Sequence, residues 1–283
     1  MKTRLIALLF ALALVTAACG SDSDTTEASS DGDGAVAACD TLPLKSDGVL
    51  TVATGEPVFP PWMEDDDPSN ERGFESALVY ALADELGVVD VTWVRTGFDE
   101  AITAGEKDYD FNIQQYSITD QRDEVVDFSD GYYQVEQAII GPAGSPAASA
   151  ETVGELQDLR LGAAIGTTSL DYLEETIEPS SDAAVYDDNV AAKAAFDAGQ
   201  IDGLVLDLPT AYYITAVEIP DTSIIGVLPR EGTADELGML FEEGSPLVPC
   251  VNQALASLRD AGVIESLEDE WLNQGGSITS LTN

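Results

Sequence analysis

Hydrophobic and polar positions alternate between two periods along most of the chain. Val49 to Ala53 (VLTVA) is a short apolar run that predicts a strand, and Phe74 to Leu86 carries apolar residues at 74, 78, 81, 82 and 86, the stripe of an amphipathic helix, with Gly87 as its stop. A strand at Val91 to Val94, a short helix at Asp99 to Ala104 and a strand at Tyr109 to Ile113 follow. The same grammar returns further on. Arg160 to Ile165 predicts a strand entering Gly166-Thr167-Thr168 and a helix to about Ile177. Asn189 to Ala198 predicts a helix, Gly203 to Leu206 a strand ending at Asp207, Gly238 to Phe241 a last strand, and Leu247 to Ala261 and Val263 to Leu272 two closing helices. Strands alternating with helices make this an α/β chain.

Two extended apolar passages running into turns, AIIGPAGSP (138–146) and SIIGVLPREG (223–232), interrupt the alternation and suit a chain crossing between two lobes. They divide it into one lobe from 40–138 plus 230–283 and a second from 143–226, joined by a two-strand hinge. At the other end, Lys2 and Arg4 precede an unbroken apolar run from Leu5 to Val15, too short to span a bilayer and suited to the core of a signal peptide over residues 1–18. Thr16-Ala17-Ala18-Cys19 resembles a bacterial lipobox, in which Cys19 becomes the lipidated first residue; the alternative is an ordinary secretory signal cut nearby. Residues 19–38 are rich in Ser, Asp, Gly and Thr and read as a flexible acidic tether. Two further cysteines, Cys39 and Cys250, remain. In an oxidising compartment they most simply pair, a closure worth about 5 kcal/mol at most, and two free buried thiols are the other possibility.

Composition narrows the chemistry. The 283 residues hold 53 acidic against 11 basic side chains and no His, a formal net charge of -42. Such a surface repels polyanions, which excludes nucleic acid as a partner. Without His, the commonest general base and metal ligand are absent, so Ser-His-Asp hydrolysis and most zinc sites are excluded, and no metal or other cofactor is implied. Losing Lys2 and Arg4 with the signal leaves an Arg placed just past a strand conspicuous, and Arg122 is that residue. A free amino acid needs a fixed cation, backbone donors and a fixed anion in one cleft.

The segments GFESALVYALADELG (73–87), YDFNIQQYSITDQRDEVVDFSDGYY (109–133), LGAAIGTTSLDYL (161–173) and IDGLVLDLPTAYY (201–213) resemble family 3 of the bacterial extracellular solute-binding proteins, the polar amino acid-binding components of ABC importers. The resemblance covers roughly Gly48 to Leu272. It implies the type II periplasmic binding protein fold, an extracytoplasmic receptor that a lipidated Cys19 would anchor to the cell membrane, a free amino acid ligand, an ABC permease as partner and a monomeric chain. It further implies that Ser117 and Arg122 hold the substrate carboxylate, Arg122 by its planar two-pronged donor. Thr168 joins them from the other lobe, and Asp207 pairs with the ammonium. The Gln115 carbonyl accepts from the ammonium and Gln114 faces the ligand, although many relatives carry small Ser or Gly at both. Phe59 and Phe98 sandwich the ligand side chain, and Glu56 meets it where it is cationic. Trp62 is a wall of unassigned role. Each has a plainer alternative: an exposed pair of Arg122 with Asp120 or Asp123, helix caps at Thr168 and Asp207, core packing for the aromatics and a solvated carboxylate at Glu56. A dehydratase for a prephenate-like acid on the same fold, with Glu56 as its acid, and a sensor domain acting through a partner are the competing functions. The acidity leans toward basic amino acids, and equally suits salt adaptation or solubility.

Overall fold

The computed structural model describes residues 39–230, 235–273 and 278–283. The expected signal peptide 1–18, Cys19 and the tether to residue 38 lie outside the described residues. The first half of the chain runs β1 (Val49–Thr54), α1 (Phe74–Glu85), β2 (Asp90–Arg95), α2 (Phe98–Ile102), β3 (Phe111–Asn112), α3 (Asp120–Asp123), β4 (Val126–Phe128) and β5 (Tyr133–Val135). It continues as β6 (Gln137–Pro142), β7 (Leu161–Ala164), α4 (Thr168–Tyr172), β8 (Ala184–Tyr186), α5 (Asn189–Asp197), β9 (Gly203–Asp207), α6 (Leu208–Tyr213) and β10 (Thr222–Val227). It ends with β11 (Asp235–Leu237), β12 (Leu240–Glu242), α7 (Val248–Asp260) and α8 (Val263–Trp271).

These strands build two five-stranded sheets, in the orders β2-β1-β3-β12-β4 and β10-β6-β9-β7-β8, and a ribbon of β5 with β11. In each sheet the strands that precede helices are parallel: β1 with β2 and β3, and β7 with β8 and β9. The α1 stripe buries Phe74, Leu78 and Leu82 with Leu50, Val52, Val251 and Leu255 in the core of the first lobe. In the second lobe, Ile139 and Val205 face one core while Ala138, Ile140, Leu204 and Leu206 face another. Both faces of β6 and β9 are thus covered, which is why these strands read as unbroken apolar runs.

That double coverage relocates the first crossing. The stretch 138–146 was expected to pass between lobes, but β6 is a buried inner strand paired antiparallel to both β9 and β10. The chain instead passes from the ribbon strand β5 into β6 at Glu136. The return runs through Leu228, whose N–H donates to Gln137 O at 2.8 Å and lays the two crossings side by side. The C-terminal stretch also departs from the expected division, because Ser280 bridges to Val227 and Leu281 packs into the second lobe. Cys39 and Cys250 form a disulfide, with Cα atoms 5.6 Å apart, that joins the segment ahead of β1 to α7. Among the described residues no helix is long and apolar enough to cross a membrane.

Candidate functional site

β1, β3, β7 and β9 all end on the side where the two sheets face each other. The carboxyl ends of parallel strands are the usual position of ligand groups in α/β sheets. A cavity of about 230 Å³ lies there. This is smaller than the roughly 300–1,000 Å³ of drug-sized pockets, so its volume suits a small metabolite. All nine ligand residues expected from the sequence, Glu56, Phe59, Phe98, Gln114, Gln115, Ser117, Arg122, Thr168 and Asp207, line it.

Arg122 is 7 % exposed and sits in the short helix α3, which Thr119 caps by accepting from Arg122 N. Its guanidinium donates to Ser117 O in its own lobe at 2.6 Å and to Gly166 O in the other at 2.8 Å. An exposed pair with Asp120 or Asp123 does not form; these two bonds to carbonyl oxygens leave three of its five N–H donors for an anion. Burial pulls its pKa down, and Tyr116, Asp171 and Asp207 push it back up. Ser117 Oγ and Thr168 Oγ1 meet across the cleft at 3.2 Å, and Trp62 Nε1 donates to Thr210 Oγ1 at 2.9 Å. Three hydrogen bonds therefore join the lobes around the cavity. The cap of α4 is Thr167, not Thr168, which leaves the Thr168 hydroxyl to the cleft.

Asp207 stands at the last position of β9 and the start of α6, yet its carboxylate caps no helix N–H. It accepts from Gln137 Nε2 at 2.6 Å, and the other end of that amide accepts from Ser169 Oγ at 2.6 Å. Burial raises the Asp207 pKa from 3.8 to about 6; the Gln137 bond opposes this rise, Asp235 adds to it and Arg122 reduces it. A ligand cation beside it would return it to the ionised form. The aromatics are placed differently from a symmetrical sandwich. Phe98 stacks on Tyr116 at 4.6 Å with the Arg122 guanidinium 5.5 Å from its ring centre, while Phe59 is 37 % exposed at the mouth. Glu56 is exposed beside it. Gln114 Oε1 accepts from the Tyr116 hydroxyl at 3.1 Å.

Several lining residues carried no signal in the sequence: Asp187 and Asp188 at the entry to α5, and Thr210 on α6. Behind the wall is a further one, Glu75. It is fully buried at the start of α1 and accepts from Tyr132 Oη, Gln115 N and Gln115 Nε2. An acid in the first turn of a helix ordinarily reads as a partner of the helix dipole, so its inward direction was not legible. In sum, the described lining holds one guanidinium and four carboxylates, those of Glu56, Asp187, Asp188 and Asp207. Arg122 and Asp207, from opposite lobes, can take the two ends of a zwitterion.

A sequence model of the bacterial extracellular solute-binding proteins, family 3, matches residues 50–274. The L-cystine-binding protein TcyJ of Escherichia coli (strain K12) is 26% identical over 239 residues, covering 83% of this chain and 86% of that protein. The lysine/arginine/ornithine-binding periplasmic protein of the same strain is 26% identical over 231 residues, covering 79% and 88%. Among solved structures, an ancestral arginine-binding protein bound to glutamine superposes with a TM-score of 0.68 at 25% identity, covering 81% of this chain and all of that one.

Proposed function

Since the chain belongs to the bacterial extracellular solute-binding proteins, family 3, and has the type II periplasmic binding protein fold of its solved relatives, we propose that it is the extracytoplasmic receptor of an ABC importer, closing its lobes on a free amino acid. The observation that carries the reading is the placement of Arg122 and Asp207 in one small cavity, each supplied by a different lobe. Arg122, Ser117 and Thr168 take the α-carboxylate, and Asp207 with Gln115 takes the ammonium. A bound ligand satisfies both lobes only when they are together, so binding favours closure.

The remaining lining charge selects the side chain. Once Arg122 and Asp207 are neutralised by the ligand backbone, Glu56 and Asp187 remain around the rest of the cavity with no described ion pair, beside Asp188, one oxygen of which caps α5 by accepting from Ala191 N at 2.7 Å. This surplus supports a cationic side chain, such as that of arginine, lysine or ornithine, over glutamine. The dehydratase alternative takes Glu56 as its acid, and Glu56 is exposed to water, while the shielded acid of the cavity, Asp207, is the one that meets the ammonium. We further read Cys19 as the lipidated residue and the receptor as a monomer that delivers to a membrane permease.

Thermal melting against the free amino acids, with ornithine and cystine included, tests the function. A ligand at about 100 times its dissociation constant adds about 2.7 kcal/mol to stability. Basic amino acids are expected to give the largest shifts. A panel in which none raises the melting temperature overturns the receptor reading, and one led by neutral amino acids overturns the cationic selection alone.

A further inference from the structure

Glu75 is 0 % exposed, and both of its carboxylate oxygens are used: Oε1 accepts from Tyr132 Oη at 2.5 Å and from Gln115 N at 2.9 Å, and Oε2 accepts from Gln115 Nε2. Gln115 N and Nε2 can only donate, and the Tyr132 hydroxyl is turned to donate as well. A protonated carboxyl would bring its own O–H against Gln115 or force that hydroxyl to turn, so the arrangement shown is that of the anion. The consequence falls on Gln115, which lines the cavity and is held at φ +54°, in the left-handed region few side-chain residues enter. With its backbone N–H and its amide NH2 both turned back onto Glu75, Gln115 is left with carbonyl oxygens to offer the cavity. A wall of acceptors suits an ammonium.

Resting on the amino acid reading above, we propose that Glu75 is the positioning residue for the ammonium end of the ligand: as an ionised carboxylate it keeps the donors of Gln115 out of the cavity, so that binding is linked to its ionisation. A protonated Glu75 offers its O–H to the Gln115 side chain instead. The amide then rotates to accept it and loses its fixed orientation toward the ammonium. Binding below the Glu75 titration range therefore releases the proton from the carboxyl to solvent.

The groups that act on Glu75 come from three places. Tyr132, just before β5, and Gln115, after β3, donate to it, and Asp207 repels it from the other lobe, while the buried phenol of Tyr116 feels its charge. None of the leading influences comes from α7 or α8, which pack on α1. Burial is the largest influence and places its pKa at about 7, within the range where a receptor outside the cytoplasm operates. An arriving ammonium offsets the Asp207 repulsion and pulls the proton off.

Calorimetric titration of L-arginine and L-glutamine between pH 5.5 and 8 provides the test, since neither the ammonium nor the carboxylate of either ligand titrates in the middle of that range. The wild type is expected to lose about tenfold in affinity from pH 8 to pH 6. Glu75→Gln, a mimic of the protonated acid, is expected to bind at least tenfold more weakly at pH 8 and to lose the upper part of the pH slope, leaving the lower part to Asp207. Tyr132→Phe removes one donor from Glu75 while keeping both Gln115 donors to it, and is expected to move the midpoint of the slope to higher pH, a readout available even if Glu75→Gln does not fold. The inference is overturned if the wild type is flat over this range, if a folded Glu75→Gln keeps wild-type affinity and profile, or if Tyr132→Phe leaves the midpoint in place. A wild type that binds no amino acid in the full panel removes the receptor reading, and this inference with it.

Discussion

Gly166 shows how much one missing side chain decides. It follows β7 at φ +70°, and a Cβ built there would stand 2.3 Å from Asp99 Oδ1, a residue of the opposite lobe. Gly166→Ala therefore meets both a backbone penalty and a clash across the cleft. Its expected effect is a loss of roughly 1–2 kcal/mol in stability and a wider cleft. Denaturant midpoints read the first and small-angle scattering with and without amino acid reads the second. Arg122→Ala strips the cavity of its one described guanidinium, and truncating one side of a buried charge pair costs roughly 2–5 kcal/mol of binding. Calorimetry should show that loss for every amino acid the wild type binds, and Arg122→Lys should not restore it, because an ammonium cannot reproduce the fork that reaches Ser117 and Gly166 together. These two positions were readable through the resemblance of SITDQR and Gly-Thr-Thr to the motifs of a family, since taken alone an Arg beside two acids and a Gly ahead of a helix have plainer uses. Glu75, Asp187 and Asp188 were not, since an acid among 53 acids carries no mark of the direction it faces.

The elements were readable in proportion to their period. α1, α5, α7 and α8 fall within a residue or two of their expected ranges, because a helical stripe bounded by Gly has one interpretation. β6 was misread as a crossing, since a strand covered on both faces loses the alternation that would mark it. The ribbon of β5 with β11 went unseen: three-residue strands far apart in sequence are fixed by pairing, not by local pattern. The first crossing follows from that ribbon and sits at its edge, at Glu136, ahead of the passage 138–146, while the return at Leu228 lies within the passage 223–232. The pairing of Cys39 with Cys250 also acts at this scale, by tying the chain ahead of β1 to α7 across a separation of 211 residues. Reducing it, or making Cys39→Ser with Cys250→Ser, is expected to lower stability by about 2–5 kcal/mol. Denaturant melts with and without reductant measure this.

For the whole molecule, acidity and burial act together on stability. The native state holds Glu75 at about 7 against an ordinary 4.5, and Asp207 at about 6 against 3.8. Folded protein therefore binds these protons more readily than unfolded chain. The stability they contribute is fully present below the ordinary values and is lost as pH rises through about 6 and 7. The Glu75 shift alone corresponds to roughly 3 kcal/mol. Asp202 and Glu242, lowered by Arg160 and Lys45, act in the opposite sense and only at more acid pH. Ligand-free protein should accordingly melt higher at pH 5.5 than at pH 8, and saturating amino acid should narrow or reverse that difference, because an ammonium in the cavity favours the ionised acids. Differential scanning calorimetry at the two pH values, with and without amino acid, checks both statements.

The bond between Cys39 and Cys250 also sets a path for mechanical load. Cys39, the segment leading to β1 and α7 all belong to the first lobe, so a tug arriving through the residues ahead of Cys39 is borne there and does not pass through the strands that connect the halves. The first lobe is the jaw that such a tug would hold, and the second would bear none of it.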